Sequence, residues 1–184
     1  MKESFLYMKK ALIYISLIFV FIFIYLLQSV FFVNFTIAGV MPNIVVILAL
    51  FIGLFIGRSR GIIYGIIYGI FMDLWIGKNI GITSVCLAIV GIIGGTFDKN
   101  FSKDSRIVIL LIGAFCTIAY EVLLYVLQGV FFQISVEVIP FLKILALETI
   151  YNIFIIIIIY PIMKNVGYEI ESEIKGDKIL TRYF

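Results

Sequence analysis

Histidine is absent from the 184 residues, which removes both the commonest metal ligand and the side chain best suited to proton transfer near neutrality. Cysteine occurs only twice. Cys86 and Cys116 each lie inside an apolar run, where a thiol behaves as a small hydrophobe, and two such residues make no disulfide framework. A phosphate-binding glycine loop, a Gly-x-Ser-x-Gly elbow and a His-Glu-x-x-His zinc motif are all missing, so no catalytic constellation emerges. Charge is scarce as well, at 14% of residues, and falls as short punctuation between apolar runs. Without those runs, no stretch is long enough to bury a soluble core of its own.

What fills the sequence instead is apolar side chain. Hydrophobic residues make up 64% and the mean hydropathy is +1.22, against roughly 45–50% apolar content in soluble domains. The chain therefore reads as an all-α integral membrane protein. A span needs about 20 residues, with a range of roughly 17–25, and six runs qualify: 11–33, 41–57, 61–77, 80–97, 106–127 and 141–163. Together they make residues 1–184 one six-span membrane domain, ending in a short cytoplasmic tail at 164–184 that is expected as a solvated, frayed helix. The first run is about twice the length of a signal-peptide core and reads as a retained anchor. Pro42 suits the first turn of the second helix, and Pro161 is expected to bend or end the sixth.

Six spans put both termini on one side of the bilayer. Lys2, Lys9, Lys10, Arg58, Arg60, Lys99, Lys103, Arg106, Lys164, Lys175, Lys178 and Arg182 share a side, and only Lys78 and Lys143 fall opposite. The positive-inside rule then makes both termini cytoplasmic. The net charge of +3 follows from these flanks, which set topology and touch anionic lipid.

Residues 53–73, GLFIGRSRGIIYGIIYGIFMD, carry glycine at Gly53, Gly57, Gly61, Gly65 and Gly69 and place Asp73 at the next step of four. Each step advances about 40° around a helix, so the glycines form a slowly winding stripe. In lipid, such stripes let backbones approach where side chains are small. The expectation is a close hairpin of helices two and three, with Arg58-Ser59-Arg60 as the turn between them. Gly91, Gly94 and Gly95 are expected to let the fourth helix pack closely as well.

Asp73 continues the stripe toward packed protein. It then either caps a neighbouring helix or belongs to a partner or ligand site, because acids in spans face the bundle interior or a wet cavity. Glu121 and Glu148 fall at a similar outer depth, and Asn152 shares a face with Glu148 at i, i+4, with Lys143 one turn outward as a possible counter-charge. Asp73, Glu121, Glu148 and Asn152 thus form an intramembrane polar cluster, read either as a network fixing helix registry or as an outward pocket for a partner. No metal, cofactor or nucleic acid is expected. Residues 130–140, VFFQISVEVIP, alternate in polarity and are expected to lie in the headgroup region.

Several motifs together resemble the rod shape-determining protein MreD family: Met41-Pro42-Asn43 opening the second helix, YGIIYGIFMD ending on Asp73 with the GKNIG turn after it, Glu121 in YEVLLYVL, Asn152 in IYNIF, and YPIMKNVGYEIE closing the last span. That resemblance implies a non-enzymatic scaffold subunit of the bacterial cell-elongation machinery in the plasma membrane, acting in rod-shape maintenance and peptidoglycan synthesis. The implied partners are MreC first, then RodA, its class B penicillin-binding protein and MreB. It also implies a six-helix fold resembling the substrate-binding subunits of energy-coupling-factor transporters. The alternative function is therefore a micronutrient-binding transporter subunit, against which the first helix offers no small-x-x-x-small docking patch.

Overall fold

A computed structural model describes residues 2–76, 81–100, 103–132 and 137–175, and every ordered element of any length in it is a helix. The six are α1 (Lys2–Leu26), α2 (Ile44–Ile56), α3 (Arg58–Ile76), α4 (Ile82–Asn100), α5 (Arg106–Phe132) and α6 (Val138–Lys175). The expected all-α membrane bundle is what forms. Three stretches are long and apolar enough to cross a bilayer: Tyr7–Asn34, Arg106–Phe131 and Val138–Lys175. Apolar α2 and α4 are shorter.

Several boundaries differ from the sequence expectation, each for a local reason. Helix α2 starts at Ile44 rather than 41, because Asn43 caps it by accepting from the Val46 N–H at 3.4 Å, leaving Pro42 outside the first turn. Before it, Ile37 and Val40 pair across a tight turn in which Ala38 and Gly39 both have positive φ. Arg58-Ser59-Arg60 is not a turn. Gly57 alone breaks the chain, at φ +106°, and α3 begins at Arg58. Pro161 does not end α6, which runs 38 residues to Lys175. The proline lacks the N–H that would meet the carbonyl of Ile157, but the turns on both sides hold. Of the GKNIG turn only Gly81 lies among the described residues, and of residues 130–140 positions 133–136 lie outside them.

The core is organised around α2, whose thirteen residues are all buried. At 1.5 Å per residue it is about 20 Å long, shorter than the roughly 30 Å hydrocarbon layer. It meets protein on every side. Helix α1 is attached mainly by aromatic contacts: the Tyr64 and Tyr68 hydroxyls donate to the carbonyls of Tyr14 and Leu17 at 2.8 and 2.9 Å, and Phe21 stacks on Tyr68 at 4.1 Å. Large apolar side chains such as Phe19 and Phe23 on α1, Leu111 and Phe115 on α5, and Ile150 and Phe154 on α6 remain on the outer surface, as a lipid-facing shell requires. The beginning of α1 and the end of α6 come together where Lys9 meets Glu173 at 3.1 Å.

Candidate functional site

The glycine stripe lies against α4 more than along an α2–α3 hairpin. A Cβ on Gly65 would fall 2.6 Å from the Leu87 carbonyl oxygen, and one on Gly61 would fall 2.7 Å from that of Gly91 and 2.9 Å from the Gly53 Cα. Gly53 faces the Gly91 carbonyl, and Gly69 lies against the backbone of Ser84. Three backbones therefore converge on Gly53, Gly61 and Gly91. Gly57 is different, with open space where its Cβ would be and a φ that L side chains rarely adopt. It serves the turn and not the contact.

Asp73, at the end of this seam nearest the start of α4, is 4% exposed. Its Oδ2 accepts the backbone N–H of Gly81 at 2.7 Å and the Ser84 hydroxyl at 3.4 Å. Those groups stand at the start of α4, where unsatisfied N–H groups and the helix dipole favour a negative charge. Of the two expectations for Asp73, capping of a neighbouring helix is the one its geometry matches.

A second group of polar side chains ties α2 to the helices around it. Leu27–Phe31 form a π-helical turn after α1, and from it Gln28 directs Oε1 at the N–H groups of Ile44 (2.9 Å) and Val45 (3.4 Å). Asn152 on α6 accepts from the Asn43 N–H at 2.8 Å and donates to the Thr117 hydroxyl on α5 at 3.0 Å, and Thr117 donates in turn to the Gly113 carbonyl. Asn152 and Thr117 are wholly buried. Glu148 and Glu121 adjoin each other, and Asn43 adjoins Glu148. Asn152, Glu148 and Glu121 thus converge near the head of α2, while Asp73 is engaged with α4. Lys143 is exposed and forms no ion pair with Glu148 among the described residues.

At the other end of the bundle lies a cluster that the sequence reading missed. Lys103 is 2% exposed and meets Asp98 at 2.6 Å and Glu171 at 2.8 Å, while Lys175 meets the same two acids at 2.7 and 2.9 Å. Two cations and two anions close a ring of zero net charge, and the Lys103 ammonium lies 5.0 Å from the centre of the Phe55 ring. The Tyr160 hydroxyl holds the adjoining turn through the carbonyls of Lys103 (2.9 Å) and Asp104 (3.1 Å). So the start of the expected solvated tail is in fact docked, with Gly167, Glu171 and Ile174 buried. The spacing of Glu171 and Lys175 at i, i+4 was the one local signal. At the rim, Lys164 meets Asp104 at 2.7 Å, and hydrogen bonding from that ammonium holds the Asp104 carboxyl below its usual 3.8.

No group of three or more potential metal-ligating side chains occurs among the described residues. The arrangement offers packing surfaces, caps and closed ion pairs. No curated protein and no solved structure matches the chain. A family model described as rod shape-determining protein MreD matches residues 8–166. With that match spanning most of its length and three long apolar helices in its fold, this multi-pass membrane protein belongs to the MreD family.

Proposed function

We propose that the chain is a non-enzymatic scaffold subunit of the bacterial cell-elongation machinery, supporting rod shape and peptidoglycan synthesis by binding partners. MreC is its first partner, with RodA, the class B penicillin-binding protein and MreB in the same assembly. The family match over residues 8–166 carries this reading. It is supported by the use of Asp73, Gln28 and Asn152 as braces between helices, which suits a rigid platform. Both termini are cytoplasmic on this reading, since Lys9, Lys103, Lys164 and Lys175 gather at the end where the first and last helices meet.

Crosslinking followed by co-purification of the full chain tests the proposal. Recovery of MreC and wall-synthesis enzymes is the expected result. Recovery of an ATPase module, with a micronutrient bound to the purified protein, would replace the scaffold with an energy-coupling-factor transporter subunit.

A further inference from the structure

Residues 11–57 carry no charged side chain, although they include the whole connection between α1 and α2. Loops that run through water are ordinarily polar. Here Phe31, Val33, Phe35, Ile37 and Met41 are all exposed. At the tip, Ile37 and Val40 pair across Ala38 and Gly39, both with positive φ. Such turns usually place Asn or Asp before the glycine. Ala38, at φ +51°, instead takes up the left-handed conformation without adding a polar group.

Two lysines on α6 give the depth of this connection. Lys143 and Lys164 stand about 31 Å apart at 1.5 Å per residue, and the one Asp, Glu, Lys or Arg between them is Glu148, which is buried. A hydrocarbon layer is roughly 30 Å thick and costly for an ammonium group, so the two lysines bracket it. Tyr151 lies about 12 Å from Lys143 toward Lys164, and its hydroxyl donates to the Phe35 carbonyl at 2.7 Å. Asn152, one position deeper, accepts from the Asn43 N–H at 2.8 Å. The tyrosine side chain leans back toward Lys143 but covers only part of that distance. Helix α2 gives the same answer from the other side: its head is about 20 Å from Arg58, which leaves it about 10 Å short of the far boundary.

Backbone at that depth must find its hydrogen bonds within the protein. The Phe35 N–H donates to the Phe32 carbonyl at 3.1 Å, and Ile37 and Val40 exchange N–H donations at 2.9 and 3.0 Å. The N–H groups of Ile44 and Val45 are met by Gln28. Even exposed Ser29 and Asn34 turn back, donating to the carbonyls of Leu26 and Val30.

We propose that residues 35–43 form a re-entrant turn seated inside the bilayer, where Phe31, Phe35, Ile37 and Met41 present an interaction surface to the acyl chains of that leaflet. The connection is then a lipid-contacting wedge between α1 and α6 and not a loop in water. Its placement follows from the spacing of Lys143 and Lys164. It is therefore the same whichever end of the bundle faces the cytoplasm, and it does not depend on the scaffold reading.

Spin labelling of the full chain in lipid nanodiscs tests the depth. Cys86 and Cys116 are buried, so the unaltered chain serves as the blank. Nitroxide labels are placed through Ile37→Cys, Phe154→Cys on the lipid-facing side of α6, and Lys143→Cys at the boundary. At positions 37 and 154, relaxation by oxygen, which concentrates in hydrocarbon, should exceed relaxation by a water-soluble nickel chelate several-fold. At position 143 the order should reverse. Helicity and unfolding temperature show that each variant folds, and Phe35→Trp in a Trp75→Phe chain, quenched by acyl-brominated lipid, gives a second reading of the same turn. Nickel access at position 37 equal to that at position 143 would overturn the proposal, as would a label at 37 that neither reagent reaches, since protein would then cover the turn. Quenching of the tryptophan by aqueous iodide and not by brominated lipid would overturn it too.

Discussion

Lys103 reaches both carboxylate oxygens of Glu171 at 2.8 Å across 68 positions of sequence. This contact joins the loop after α4 to the extension of α6 beyond the expected span. Removing one partner from a buried ion pair leaves an uncompensated charge and costs more than the intact pair contributes. Lys103→Met should therefore lower stability by about 3 kcal/mol, even with Lys175 still in place. Lys9→Met, at a pair whose lysine side chain is 44% exposed, should change it by about 0.5 kcal/mol or less. Denaturant unfolding of both variants in one detergent compares them directly.

Asp73 is expected to act through α4. Asp73→Leu leaves the Gly81 N–H without its acceptor and should cost about 1–2 kcal/mol. Asp73→Asn keeps an acceptor oxygen and should recover most of that loss. Both should still insert into the membrane, so a lowered unfolding temperature for the leucine variant, with unchanged membrane fraction, is the result to look for. Poor recovery of MreC with the leucine variant alone would extend the effect to assembly.

Among the glycines, the surroundings of the missing Cβ decide the cost. Gly61→Ala drives a methyl group into the backbones of Gly91 and Gly53, whereas Gly113→Ala meets the tip of the Ile156 side chain, which can rotate away. Overpacking a closed contact costs about 1–3 kcal/mol. Gly61→Ala should therefore lower the unfolding temperature clearly more than Gly113→Ala. Equal effects would show that the seam yields to an added carbon.

The rim pair gives a small pH dependence of determined sign. Hydrogen bonding from Lys164 depresses Asp104 below 3.8, so its stabilising contribution is complete above that pH and disappears as pH falls through the depressed value. The same hydrogen bond raises Lys164 above 10.5, so that contribution is complete below 10.5 and disappears as pH rises through the raised value. Neutral pH lies inside both windows. Asp104→Asn should flatten the acid side of the stability profile slightly, since the Asp104 side chain is 64% exposed. Unfolding midpoints from pH 3 to 7, a range set by the usual carboxyl values, would register the change.

The helices were legible because bilayer length and apolar runs are local properties of a sequence. Their partners were not. Nothing in residues 53–69 says that Gly91 and Leu87, rather than the neighbouring arm of a hairpin, will lie against the stripe, since that choice depends on where α4 returns. Of the two expectations for Pro161, an end to α6 is the one that fails, because a missing N–H ends a helix only when nothing else holds the next turn, and here Glu171 and Lys175 are held from Asp98 and Lys103. Asp73 was half legible: its place on the stripe gave the direction of the side chain, but its acceptor role required the position of Gly81. The head of α2 was missed by three residues because an asparagine cap preceded by proline looks from sequence like the first helical turn.

The thirteen enclosed residues of α2 also bear on how the protein answers to its membrane. A segment that touches no lipid has no thickness to match, so it serves as a short fixed axle while α1, α5 and α6 act as the staves around it. Moving the protein between thin and thick bilayers should tilt those outer helices and leave the axle where it is. Changes in lipid would then be felt at the rim of the bundle before they reach its centre.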